Sequence, residues 1–96
     1  MTVVRAHIYT IAPADLDELI AQRATLIDAI RAAHPGLTAA RLVRLEDGTY
    51  SDTWHWDTPE HMSAAFAALP GIPQARATMS LTKDNTAQNG RLIDER

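Results

Sequence analysis

The apolar positions change period along the chain, and each period predicts an element. Residues 3–11 read Val-Val-Arg-Ala-His-Ile-Tyr-Thr-Ile, rich in β-branched and aromatic types, and predict a first strand. Period two puts Val3, Arg5, His7, Tyr9 and Ile11 on one side and Val4, Ala6, Ile8 and Thr10 on the other. Pro13 stops this strand. Leu16, Leu19, Ile20, Ala24, Leu26, Ile27 and Ile30 then recur at helical spacing and predict a helix that ends near Ala33, before Pro35-Gly36. Asp15, with Glu18 three residues on, has the form of a capping box.

Residues 38–46 and 49–57 flank Asp47-Gly48, the signature of a two-residue hairpin. That turn sets Leu45 opposite Tyr50, Val43 opposite Asp52, Arg41 opposite Trp54 and Ala39 opposite Trp56, all on one face. The other face then pairs Leu42 with Thr53, Arg44 with Ser51 and Ala40 with His55. Thr58-Pro59 opens a second helix, with Met62, Ala65, Phe66 and Leu69 as its stripe. Pro70-Gly71-Ile72-Pro73 breaks it, and a further helical piece is expected over 73–82. Residues 83–90 read as polar turn material and 91–95 as a short last strand.

Strand, helix, strand, strand, helix, strand is the split βαβ pattern. It predicts an α+β, ferredoxin-like βαββαβ fold with an antiparallel sheet. Right-handed crossovers put both helices on one face. The reverse face, expected to carry Val4, Ala6, Ile8 and Leu42, is then uncovered. A monomer rarely leaves such a patch wet, so a homodimer sealed through this face is expected.

Length and composition narrow the function. Ninety-six residues make one domain, 1–96. There is no cysteine, which excludes disulfides, thiolate metal sites and a cysteine nucleophile. The net charge of −3, with no basic stripe, argues against nucleic acid as a partner. No apolar run approaches a membrane span, and no signal-peptide core is present, so a soluble, cytoplasmic protein is expected. The histidines lack metal-ligand spacing, so no metal is expected.

The first-strand pattern, the long helix ending at Pro35-Gly36, the hairpin, and Trp54-His55-Trp56-Asp57-Thr58-Pro59-Glu60 before an alanine-rich helix together resemble the antibiotic biosynthesis monooxygenase family. The resemblance covers nearly the whole chain as topology, and Trp56 is its most specific residue. It implies a dimeric α/β barrel. It also implies a cofactor-independent monooxygenase acting on a phenolic or polycyclic aromatic, polyketide-like substrate. Two alternatives accompany it: a non-catalytic small-ligand-binding protein, and a haem-binding or haem-degrading member. The haem branch is the poorer match. His7 stands where its strand-one asparagine would be, and Phe66 or neighbouring alanines stand where its helix histidine would be.

Three residues are candidates for catalysis. His7 can titrate near neutral pH and is the leading general base, unless a backbone carbonyl satisfies it in the core. His61, beside a helix N-terminus, is disfavoured as a cation and is a second base, or else a surface residue. Arg41 would stabilise a developing anion, or else form a surface ion pair with Asp52. Trp54, Trp56, Tyr9, Asp52 and Phe66 are the substrate-contact candidates. Core filling competes for both indoles; the family resemblance tips Trp56 toward the ligand and leaves Trp54 for the core.

Overall fold

A computed structural model describes residues 1–96. The elements run β1 (Val3–Ile11), α1 (Leu16–Ala33), β2 (Leu37–Arg44), β3 (Tyr50–Trp56), α2 (Pro59–Ala68), α3 (Pro73–Met79) and β4 (Thr82–Arg91). Short 3-10 turns occupy Pro13–Asp15 and Leu69–Gly71. The four strands form one antiparallel sheet in the order β2-β3-β1-β4, the ferredoxin-like arrangement.

Period two assigns the faces. In β1 and β3, Val3 pairs with Trp56, Arg5 with Trp54, His7 with Asp52 and Tyr9 with Tyr50. Tyr50, Asp52, Trp54 and Trp56 are all buried, so this is the face the helices cover. The core has two parts. One gathers Leu26, Ile27 and Ile30 of α1 with Leu37, Trp54, Trp56, Met62 and Ala65. The other holds Tyr9, Ile11, Leu19 and Tyr50. Burial of Leu19 or Ile30 contributes about 1.5–3 kcal/mol each.

The hairpin register differs from the two-residue turn by one. Gly48 N–H donates to Leu45 O at 3.0 Å, Leu45 N–H to Thr49 O at 2.8 Å, and Gly48 has φ +87°. This is a three-residue loop, Glu46-Asp47-Gly48, closed by a left-handed glycine. The extra residue flips β2. Leu42 now pairs with Asp52 and Ala40 with Trp54, and both face the helices. Arg41 pairs with Thr53 on the reverse face and is exposed. A one-residue slip exchanges every side chain between faces.

Other local expectations also change. Asp15 makes no cap hydrogen bond, because a 3-10 turn already holds its backbone in the helical region (φ −97°, ψ −3°). Thr58 does cap α2, its hydroxyl accepting from His61 N–H at 3.1 Å. Ile20, expected in the α1 stripe, is half exposed. The last strand is not 91–95 but Thr82–Arg91, which takes in the whole of 83–90 that read as turn. It lies at the sheet edge, and only Thr82 is buried, so no hydrophobic alternation marks it. No helix is long and apolar enough to cross a membrane.

Candidate functional site

A cavity of about 70 Å³ opens between the sheet and the helices. The two core clusters meet here: Tyr9 comes from one, Trp54 and Leu26 from the other. The strands contribute His7 and Asp52, α1 contributes Arg23, and α2 and α3 contribute Phe66 and Met79. Met79 is 45% exposed and forms part of the rim.

Asp52 organises the polar side. Its carboxylate accepts from Tyr9 Oη at 2.7 Å and from Trp54 Nε1 at 2.8 Å. Arg23 binds it sidelong, with Nε 3.0 Å from Oδ2 and Nη2 2.9 Å from Oδ1. A buried carboxylate with this many donors is both paired and hydrogen-bonded, as burial of charge requires. Burial, reinforced by the Asp52 charge and hydrogen bond, pushes the Tyr9 phenol far above its ordinary 10.0. Tyr9 is therefore a proton-bearing donor at neutral pH.

The remaining cavity hydroxyls are also committed: Thr78 donates to Gln74 O and Thr82 to Met79 O. His7 is the one polar side chain lining the cavity that makes no hydrogen bond within the protein. Burial holds its imidazole below the usual 6.5, and the nearby Arg5 charge adds to this; Asp52 opposes both. A neutral imidazole in a hollow whose other polar groups are already satisfied is a proton acceptor awaiting a donor.

The sequence candidates separate in space. His7, Tyr9, Asp52, Trp54 and Phe66 come together at the cavity. Arg41 does not, because the longer hairpin loop turns it outward; Arg23 occupies the place beside Asp52. Trp56 is 0% exposed and lies in the core, its ring 6.0 Å from Phe66 and its Nε1 buried without a partner. Its neighbour on the same face, Trp54, is the indole at the cavity. His61 is outside it too. Its Nδ1 sits 2.7 Å from Asp57 Oδ1 at the surface, beside a shallow groove lined by His34 and Gly36. The hydrogen bond from His61 holds the Asp57 carboxyl below its ordinary range. No three His, Asp or Glu side chains gather into a group suited to a metal.

Arg23 is not among the candidates above, though the sequence carries a signal for it. Leu19, Arg23, Leu26 and Ile30 lie along one helical stripe, and three of the four are buried. A lone arginine inside an apolar stripe requires a buried anion opposite it.

The sequence matches no family model and no curated protein. Solved structures do resemble it. SnoaB, a cofactor-independent oxygenase from Streptomyces nogalater, is 24% identical with a TM-score of 0.66, covering 99% of this chain and 94% of that one. A Deinococcus radiodurans protein classed with the antibiotic biosynthesis monooxygenases is 19% identical, with a TM-score of 0.72 over 98% and 95% of the two chains. Rv0793 from Mycobacterium tuberculosis is 19% identical, with a TM-score of 0.69 over 99% and 98%. At such identities the likeness is one of fold. From end to end, this chain folds as the antibiotic biosynthesis monooxygenase structures do.

Proposed function

We propose that this protein is a cofactor-independent monooxygenase of a small phenolic or enolisable aromatic substrate, with His7 as its base. The observation that carries this reading is the free imidazole of His7 in a cavity whose other polar groups are already satisfied. His7 takes the proton of a phenol or activated methylene. The electron-rich anion then reacts with dioxygen. Conversion of a methylene and O₂ to a carbonyl and water balances with no external reductant. Trp54 and Phe66 flank the ring, and Tyr9 and Arg23 hold Asp52 in place. Excluding water from this hollow strengthens each electrostatic contact.

The size of the cavity sets a condition. About 70 Å³ is roughly half of the ~150 Å³ cavity that a benzene-sized ligand fills. A ring therefore enters by displacing the flexible side chain of Met79 at the rim. The same small volume favours a second reading, a binding protein without turnover. Oxygen uptake with an anthrone-type substrate separates the two: consumption abolished by His7→Phe supports the oxygenase, and tight binding without consumption supports the second reading. A shifted Soret band on haem addition would favour a haem-binding protein instead.

The homodimer belongs to this proposal. Val4, Ala6 and Ile8 form a half-buried apolar strip on the uncovered sheet face, with Thr53, His55 and Ala39 alongside. Light scattering at micromolar concentration is expected to give twice the mass of the 10.5 kDa chain. A stable monomer would remove the dimer.

A further inference from the structure

Arg5 has no carboxylate partner. The ion pairs of the molecule are Arg23 with Asp52, His61 with Asp57 and Arg96 with Asp94. Arg5 instead donates from Nη1 to the neutral Asn89 Oδ1 at 3.0 Å. Its guanidinium lies 4.7 Å from the centroid of the Phe66 ring, and its Nε is buried with no acceptor. It shares the helix-facing side of β1 with His7, two residues along, which sets the two on the order of 7 Å apart. Phe66 in turn lines the cavity.

Charges around the cavity do not cancel. Arg23 and Asp52 neutralise each other, Tyr9 keeps its proton, and His7 is neutral. The cavity residues contributed by α2, α3 and β4 carry no titratable group. Arg5 is therefore an unbalanced cation in a half-buried setting, where its field is weakly screened. Such a guanidinium is retained at a cost unless something there uses it.

We propose that Arg5, stacked on Phe66, is the positioning residue that biases this site toward the ionised form of its ligand. The proposal rests on the cavity being the ligand site, as argued above. It transfers to Arg5 the part that the sequence pattern suggested for Arg41. Arg5 does not touch the reacting atoms. It lowers the free energy of negative charge formed beside His7 and disfavours a second positive charge on the imidazole.

The test uses para-nitrophenol, which ionises near neutral pH and whose anion has its own absorbance band, and para-nitroaniline as a neutral near-isostere. Wild-type protein is expected to bind the nitrophenolate at least roughly tenfold more tightly than either neutral form, lowering the apparent ionisation pH of the bound probe by about one unit. Arg5→Gln abolishes the preference and Arg5→Lys retains it. Asn89→Ala, an exposed edge-strand change that removes the guanidinium's only acceptor, reduces the preference and stands in if Arg5→Gln fails to fold. Equal binding of charged and neutral forms by the wild type overturns this proposal and leaves the cavity as a ligand site. So does an unchanged preference in Arg5→Gln. Failure of both probes to bind the wild type overturns the site, and this proposal with it.

Discussion

Arg23 of α1 reaches across the core to grip Asp52 of β3 with two nitrogens, at 3.0 and 2.9 Å, and both side chains are nearly buried. The pair bridges the two apolar clusters and gives the Tyr9 hydroxyl and the Trp54 indole a shared acceptor. Removing one member strands the other. Arg23→Met or Asp52→Leu alone is expected to cost about 3–5 kcal/mol, measured by urea unfolding. The double variant recovers most of that loss. It still forfeits about 1–3 kcal/mol, because Tyr9 and Trp54 keep no acceptor. Additive losses in the double-mutant cycle would refute the coupling.

Arg41 gives the opposite expectation. It is exposed on the reverse face of the sheet, opposite Thr53. Arg41→Ala should change stability by less than about 0.5 kcal/mol and leave ligand binding at the cavity untouched. A large loss of binding would mean that β2 carries the register expected from a two-residue turn.

The pH dependence follows from His7. Its folded-state pKa lies below the ordinary 6.5, because burial and Arg5 disfavour the imidazolium. As pH falls through 6.5 the unfolded chain takes up a proton that the folded chain resists, so stability declines until the lower folded pKa is passed. Above 6.5 this contribution is fully present. Thermal unfolding between pH 7.5 and 5 should show the decline in the wild type, and His7→Phe should flatten it. Turnover should likewise hold its plateau to a pH below 6.5, where the imidazole is still neutral.

Gly36 is required for close approach rather than for backbone freedom. Its φ is not positive, yet a Cβ there would stand 2.5 Å from Asp57 Oδ1 and 2.9 Å from His61 Nδ1. Asp57 N–H also donates to Gly36 O at 2.9 Å. Gly36→Ala should cost about 1–3 kcal/mol through this crowding. Gly71→Ala, with open space around its Cβ position, should not, and calorimetry on the two variants decides the point.

Strong local periods made β1, α1 and α2 legible, and so the ferredoxin-like order was too. Glycine-bearing turns with different loop lengths look alike in sequence, and the one residue separating them decided whether Arg41 or Leu42 faced the helices. β4 was hidden because an edge strand wetted on both faces needs no apolar alternation. At the site, His7, Tyr9, Asp52, Trp54 and Phe66 could be placed by face alone. The roles of Trp54 and Trp56 could not, since both share a face and only the packing of the surrounding cluster, Phe66 included, closes the core over Trp56.

The four histidines occupy three different surroundings: His7 in the cavity, His55 on the outer sheet face, and His34 with His61 at the surface groove beside Gly36. Nitrogen NMR of imidazole-labelled protein, titrated with an anthrone-type phenol, therefore reads the site directly. With His7 as the base, its resonances shift with saturation while those of His34, His55 and His61 stay in place. A shift confined to His61, or no shift at His7 as the ligand saturates, would contradict it.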